Sequence, residues 1–140
     1  MRFRRRLEPS RSWSVVSQDR IASRFVWLPS MFSDHWSPKV AGQINDMQIK
    51  LAKFKGEFMW HHHDHEDELF LVHKGTLLMR FRDRGVRVGP GEFIIAPRGV
   101  EHLPVAESDE CEIVLLEPKT TLNTGNVVNE RTVHELDRID

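Results

Sequence analysis

The segment from residue 56 to residue 75, GEFMWHHHDHEDELFLVHKG, concentrates side chains that could bind a metal ion. His61 and His63 are two residues apart, and Glu68 follows five residues later. Side chains at positions i and i+2 of a β-strand point to the same face, so both imidazoles can face an interior while His62 points away. Glu68 can then deliver a carboxylate oxygen from the next strand. Imidazole and carboxylate together suit Fe, Mn, Ni, Zn or Cu ions.

A third imidazole is needed to complete such a ligand set, and His102 is the candidate. It ends the stretch GEFIIAPRGVEH, in which Pro97 and Gly99 are suited to a turn that aims His102 inward. The competing interpretation is a surface patch, because the run HHHDH would bind nickel on any exposed loop. That interpretation leaves Glu68 and the turn before His102 unexplained, so we predict a buried site. Of the other histidines, His62, His65 and His73 are expected outside it, and His35 and His134 have no motif context.

The elements that must position these residues are short strands. From Met47 onward, apolar runs rich in Val, Ile, Leu and Phe are separated by Gly, Pro and Asp, which is typical of an all-β fold. The candidate strands are residues 47–55, 57–63, 69–73, 76–82, 86–88, 92–96, 102–105 and 112–117. Eight short strands predict a closed antiparallel β-barrel or jelly roll, which hides its strand edges. A short C-terminal helix is expected over residues 132–139, where Val133, Leu136 and Ile139 share a helical face.

These residues resemble two motifs of the cupin superfamily, specifically its small single-domain bacterial members with a cupin type-2 domain. The first motif, G-x5-H-x-H-x(3,4)-E-x6-G, is matched by His61, His63, Glu68 and Gly75, with Gly56 one residue closer. The second motif, G-x5-P-x-G-x2-H-x3-N, is matched by Gly91, Pro97, Gly99 and His102, with Ala106 in place of the final Asn. The substitution at Ala106 affects a local turn and leaves the metal-binding positions intact.

The resemblance implies a double-stranded β-helix, or jelly-roll barrel, around one divalent metal ion. It also implies that the metal ligands are His61, His63, Glu68 and His102, with coordination positions left for water or a small-molecule ligand. The sequence does not choose between Fe, Mn, Ni, Zn and Cu. Because the imidazoles must be neutral to bind, metal binding should weaken as the pH falls through about 6.5. Members of the family often pair through outer sheet faces, so a homodimer is expected.

Alternation along the strands predicts a mostly apolar wall beside the metal. The expected lining residues are Met59, Phe70, Val72, Leu77, Met79, Phe81, Phe93, Ile95, Ile113 and Leu115. Such a wall favours a dioxygenase-like oxidoreductase that acts on a small organic molecule, with no separate catalytic residue assigned. One alternative is a non-catalytic cupin that binds a small ligand or a metal. Another is a sugar isomerase-like cupin of the mannose-6-phosphate isomerase kind, which would need an interior Arg or Lys clamp that the sequence does not supply.

Composition limits the partners and the compartment. The 140 residues carry a formal net charge of −1 and are 39% hydrophobic, which suits one globular domain and does not favour nucleic acid as a partner. The apolar runs are far shorter than the ~20 residues that a membrane-spanning helix needs, so no membrane association is expected. A single cysteine, Cys111, cannot form an internal disulfide. We therefore expect a cytoplasmic protein.

The first part of the chain differs in charge from the rest. Residues 1–20 contain six Arg residues and only two acidic residues, Glu8 and Asp19. Charges without periodicity do not bury surface, so residues 1–30 are predicted to be an Arg-rich N-terminal extension, loosely ordered at its start. An acidic polymer is the natural partner if this arm binds anything. Residues 31–140 are predicted to form a single cupin domain.

Overall fold

Residues 31–140, the part of the chain described in the computed structural model, form eight β-strands in two antiparallel sheets. The strands are β1 (Lys39–Ile44), β2 (Met47–Phe54), β3 (Glu68–Lys74), β4 (Leu77–Phe81), β5 (Gly85–Val88), β6 (Phe93–Ala96), β7 (His102–Ala106) and β8 (Cys111–Pro118). The strand order is β1-β2-β8-β3-β6 in the larger sheet and β5-β4-β7 in the smaller one. The predicted all-β jelly roll is confirmed. The predicted N-terminal extension, residues 1–30, lies outside the described residues.

The hydrophobic core lies between the two sheets because their strands alternate buried and more exposed residues. Glu68, Phe70 and Val72 are buried in β3, and Leu77 and Met79 are buried in β4. Side chains from both sheets meet in one apolar cluster, which also includes Trp36, Ala52, Phe54, Val88, Ala96, Ala106, Cys111, Ile113 and Leu115. A period of two therefore aims one face of each strand at a common interior.

Strand β1 begins ahead of the predicted strands and forms a hairpin with β2. Ile44 pairs with Met47, so Asn45 and Asp46 make a two-residue loop. Asn45 has a φ of 51°, a left-handed conformation that Asn tolerates better than most residues. The Asn-Asp pair was thus a local signal for this hairpin that the strand prediction did not use.

The segment that carries His61 and His63 is not the continuous strand predicted for residues 57–63. It makes isolated β-bridges, from Glu57 to Val105 and from His61 to His102. Strand β7 already pairs with β4 along its length, so this segment touches the other edge of β7 at separate points. The bridges still keep His61 and His63 on the same side, and both are buried.

The predicted C-terminal helix over residues 132–139 is wrong. This segment has turns and bends, and residues 31–140 contain no α-helix. Its backbone groups bond to other elements: Val133 N–H donates to Asn123 Oδ1, and Ile139 N–H donates to the Val40 carbonyl. Ile139 packs against Leu51 on the outer face of the larger sheet. No helix in the described part of the chain is long and apolar enough to cross a membrane.

The face of strand β6 that points into the core is the opposite of the predicted one. Its register with β3 pairs Ile94 with Phe70, so Ile94 packs against the core. Phe93 and Ile95 therefore face outward and are 61% and 48% exposed, and their predicted interior placement was wrong. Three consecutive apolar residues do not indicate by alternation which face is buried. The pairing with β3 decides it.

Candidate metal centre

Four buried side chains converge inside the barrel. His61, His63, Glu68 and His102 each offer one ligand atom, and these four atoms lie within 4.8 Å of one another. Their side chains come from the bridged segment, from the start of β3 and from the start of β7. The structure thus brings together all four residues that the sequence analysis singled out as metal ligands.

Backbone hydrogen bonds fix the three imidazole-bearing residues relative to one another. His61 N–H donates to the His102 carbonyl at 3.1 Å, and His102 N–H donates to the His61 carbonyl at 2.9 Å. Gly99 N–H donates to the His63 carbonyl at 2.7 Å, so the turn before β7 holds the third histidine. The Pro97–Gly99 turn therefore positions two candidate ligands, His63 and His102, rather than one.

Hydrogen bonds to carbonyl groups set the tautomers of two rings. Nδ1 of His61 lies 2.9 Å from the Met59 carbonyl, and Nδ1 of His102 lies 2.9 Å from the Val100 carbonyl. A carbonyl oxygen can only accept, so Nδ1 carries the hydrogen in both rings. The Nε2 atoms are left for the cluster, which is how histidine ligands are commonly oriented in metal sites.

The atoms at the centre of the cluster fit a cation. Oε2 of Glu68 lies 3.0 Å from Nε2 of His63 and 3.0 Å from Nε2 of His102. Two facing lone pairs repel, so each approach requires a proton or a metal ion between the atoms. Nε2 of His63 is also buried and has no hydrogen-bond partner despite its closeness to Glu68. The donor set of three imidazoles and one carboxylate is suited to a divalent transition metal.

The pKa shifts favour the protonation states that a metal needs. Burial, followed by the nearby His102, lowers the pKa of His61 to about 4, so this imidazole is neutral at pH 7. Burial acts to raise the pKa of Glu68, but the imidazoles of His102 and His63, whose Nε2 atoms lie 3.0 Å from its Oε2 and donate to it when protonated, outweigh burial and hold the pKa well below its usual value. A neutral imidazole and an ionised carboxylate are the forms that bind metal ions.

The five other histidines lie outside the cluster; this placement was expected for His62, His65 and His73, whereas His35 and His134 had been left unassigned. His62 contacts Asp64, His73 is near Glu112, and His65 is exposed. His35 contacts Glu110 at 2.6 Å, and His134 is exposed. The thiol of Cys111 is free and buried, and it donates to the Thr76 carbonyl.

A small cavity adjoins the cluster. Its volume is about 30 Å³, and its lining residues are Trp36, Pro38, Phe54, Phe58, His61, Glu68, Phe70, Leu115, Glu117 and Asn123. Two of the predicted apolar lining residues, Phe70 and Leu115, border it. Among the other predicted residues, Val72, Leu77, Met79 and Ile113 belong to the core cluster, and Met59 and Phe81 are half-buried.

The sequence analysis missed the two charged residues behind this cavity. Lys50 of β2 and Glu117 of β8 form a buried ion pair, with Nζ and Oε1 2.7 Å apart. Burial raises the pKa of Glu117 well above its usual value, the charge of Glu68 adds to this effect, and Lys50 opposes it. The signal was present: Glu117 has the same parity as Ile113 and Leu115, which were predicted to face inward.

A second missed feature is the segment after β8, which closes over the histidines. Asn126 and His62 make reciprocal hydrogen bonds: His62 N–H donates to Asn126 Oδ1 at 2.9 Å, and Asn126 N–H donates to the His62 carbonyl at 3.0 Å. Gly125 has a φ of 56°, and a Cβ atom there would overlap with the His62 carbonyl and press on the His61 ring. Only glycine fits this approach without displacing the candidate ligands.

A jelly roll with three histidines and a glutamate in its interior is the arrangement of the cupin fold, and the comparison with protein families agrees. The model of the cupin domain matches residues 49–118, half of the chain. The protein therefore belongs to the cupin family as a small cupin with a single recognised domain.

Two solved structures share the fold, and one curated protein is similar in sequence. A cupin-2 domain containing protein from Shewanella frigidimarina NCIMB 400 is 45% identical, with a TM-score of 0.67 over 69% of this chain and 94% of that one. Protein NMB1881 from Neisseria meningitidis is 24% identical, with a TM-score of 0.64 over 70% of this chain and 99% of that one, and it supports the fold alone. The uncharacterised protein YdbB of Bacillus subtilis (strain 168) is 41% identical over 61 residues, 43% of this chain. The chain spans about half (54%) of the length of that curated relative.

Proposed function

We propose that this cupin binds one divalent transition-metal ion through His61, His63, Glu68 and His102, and uses it to bind and oxidise a small organic molecule. The observation that carries the proposal is the approach of two imidazole nitrogens to one carboxylate oxygen, each at 3.0 Å, inside a buried cluster. Polar groups are rarely gathered in a core without a partner that stabilises them. A metal ion of the Fe, Mn, Ni, Zn or Cu group would be such a partner.

The surroundings of the cluster support a dioxygenase-like oxidoreductase. When bound, a redox-active ion supplies the electron transfer, and open coordination positions supply a place for substrate. The chain contributes a wall that excludes water: Trp36 stacks on Phe54 and on Phe58, with ring centroids 4.2 and 4.7 Å apart. Exclusion of water protects reactive species from side reactions. Phe58 in turn contacts the edge of the His61 ring and so helps to hold this ligand.

The lining of the cavity disfavours a sugar-phosphate isomerase. A phosphate needs convergent Arg or Lys side chains. Among the described residues that line the cavity, the titratable ones are His61, Glu68 and Glu117. The small volume does favour one alternative, a non-catalytic cupin that retains the metal together with a water-sized ligand.

Metal content and oxygen uptake test the proposal. Protein produced without a nickel column is analysed for metals by emission spectrometry, together with His63→Ala and the matched control His73→Ala, which removes an imidazole outside the cluster. We expect about one equivalent of metal in the wild type and the control, and loss of metal in His63→Ala. Oxygen consumption with catechols, thiols and diketones then separates an oxygenase from a binder. Equal metal content in all three proteins would refute the metal centre.

The outer face of the larger sheet supports a homodimer as part of this proposal. Phe93 and Ile95 are exposed on the edge strand β6, and the half-buried Leu69 and Leu71 lie beside them on β3. A second copy of this chain would cover these neighbouring apolar residues. Analytical ultracentrifugation should give a dimer for the wild type and a monomer for Phe93→Asp. A monomeric wild type would exclude the dimer.

The domain division and the location belong to the same proposal. Residues 31–140 would fold as a single cupin domain after an extension of residues 1–30. Limited proteolysis tests this, with a resistant fragment that begins near residue 31 as the expected product. The free thiol of Cys111 supports a cytoplasmic location, because a reducing compartment keeps a lone cysteine unpaired.

A further inference from the structure

The ion pair between Lys50 and Glu117 is unusual for the place it occupies. The two side chains are only 1% and 2% exposed, and their strands are adjacent in the larger sheet. A buried ion pair is often no more stabilising than apolar residues of similar volume, because both charges must be stripped of water. Apolar residues would therefore fill this part of the core at no cost in stability. The position of the pair beside the cavity suggests a role in ligand binding instead.

The two oxygens of Glu117 have different surroundings. Oε1 accepts a hydrogen bond from Lys50 Nζ at 2.7 Å. Oε2 is buried and has no hydrogen-bond partner among the described residues while both carboxyl groups are ionised, and a hydrogen bond to Glu68 forms only when a proton lies between the two carboxyl groups. An unsatisfied buried oxygen is costly, and Glu117 lines the cavity that also borders His61 and Glu68. A polar group in this cavity would satisfy Oε2.

The size and charge of the cavity define which polar group fits. A volume of about 30 Å³ accommodates about two water molecules, which corresponds to one small functional group. An anionic group would face the two carboxyl groups of Glu68 and Glu117, and Lys50 is already paired. A hydroxyl group is small and neutral and can both donate and accept, so it can pair with Oε2 in either protonation state of Glu117.

We propose that Glu117 is a ligand-binding residue that selects a hydroxyl group in the cavity next to the metal cluster, and that Lys50 is the positioning residue that orients it. The relevant ligands are small neutral alcohols, enols or phenols that place their hydroxyl group here, and water occupies the position otherwise. Trp36, Phe54 and Phe58 line the cavity and would lie against the carbon attached to that hydroxyl group. The role of this subsite in turnover rests on the proposed function, whereas hydroxyl binding itself can be measured without metal.

Ligand-observed NMR tests the subsite with methanol as the hydroxyl probe and formate as an anion of similar size. Saturation transfer is measured on metal-free and metal-loaded full-length protein. We expect wild type to bind methanol in preference to formate. Glu117→Gln should keep methanol binding within a few fold, since an amide also donates and accepts, and Glu117→Leu should weaken it by at least about tenfold.

Two further variants separate the loss of hydroxyl binding from a loss of folding or of metal. Lys50→Met/Glu117→Leu removes both charges and avoids an unpaired lysine, and Glu112→Leu removes an acidic residue of β8 that points to the other face. We expect the double variant to lose the methanol preference while it retains a cooperative thermal transition and its metal content. Glu112→Leu should behave as wild type.

Two outcomes would overturn the proposal: methanol binding to Glu117→Leu with wild-type affinity, or tighter binding of formate than of methanol to the wild type. A wild type that carries no metal would refute the proposed metal centre and leave the result with metal-free protein valid. The two hypotheses can therefore fail separately.

Discussion

His61 and His102 are joined by a reciprocal pair of backbone hydrogen bonds, and their ring centroids lie 4.4 Å apart. Two candidate ligands that are far apart in the chain thus share one β-bridge, which fixes the spacing between the two residues. The same bridge connects the segment before β3 to the first residue of β7. Substitution of either residue should consequently disturb the geometry of the whole cluster.

Removal of one bridged imidazole should abolish tight metal binding. We expect His102→Ala to lower the affinity for Zn²⁺ by at least about 100-fold, since even residues that only support ligands contribute 10- to 100-fold. His134→Ala, an exposed histidine outside the cluster, should leave the affinity unchanged. Competition with a chromogenic chelator measures both. A loss of less than tenfold in His102→Ala would count against its role as a ligand.

The metal-free protein should lose stability as the pH falls from about 6.5 to about 4. The pKa of His61 is about 4 in the fold and 6.5 without it, so in this window the unfolded chain binds the proton and folding releases it. The stability is retained in full above about pH 6.5, and the loss amounts to about 3 kcal/mol by pH 4, at 1.36 kcal/mol per pKa unit. Urea unfolding across this range should give a flatter profile for His61→Gln. Identical profiles would show that His61 is not responsible.

Removal of one member of the buried ion pair should lower the free energy of unfolding more than removal of both members. Lys50→Met leaves the carboxyl group of Glu117 without its partner and should cost about 3–5 kcal/mol, whereas Lys50→Met/Glu117→Leu should cost less than Lys50→Met alone. Denaturant unfolding gives both values. Lys119→Met, which removes an exposed partner of Asp46, should change stability by no more than about 0.5 kcal/mol. Additive effects of the two interior substitutions would mean that the pair is not coupled.

Gly125→Ala should weaken both the fold and the metal site. Its left-handed backbone adds a strain of about 1–3 kcal/mol, and the added Cβ would press on the His61 ring and the His62 carbonyl. Gly91→Ala is the matched control, because Gly91 has a φ of 80° with open space where its Cβ would lie. Both variants should lose stability, but only Gly125→Ala should also lose about 10- to 100-fold in metal affinity. Equal metal affinities would show that the contact is dispensable.

The sequence was sufficient to predict the convergence of the four candidate ligands. Alternation placed His61 and His63 on one side, and the cupin motifs connected them with Glu68 and His102. The alternation is a feature of local spacing and needs no knowledge of tertiary pairing, whereas the link to Glu68 and His102 came from the resemblance to the cupin motifs. The jelly roll followed from the same strand pattern.

Other features depend on pairing between distant strands and could not be predicted in this way. The outward orientation of Phe93 and Ile95 is set by the register of β6 with β3. The missing C-terminal helix reflects bonds outside the segment, from Val133 to Asn123 and from Ile139 to the distant Val40. Tertiary contacts of this kind override the weak helical preference of a short segment.

The reciprocal hydrogen bonds between His62 and Asn126, here called the clamp, also have a consequence for biosynthesis. The two residues are 64 positions apart, so a ribosome that has made the histidine segment must add all of β3 to β8 before the clamp can close. In a nascent chain that does not yet include Asn126, the histidine segment would lack this cover. Metal binding at the proposed centre is therefore expected late, once Asn126 is free to bond to His62.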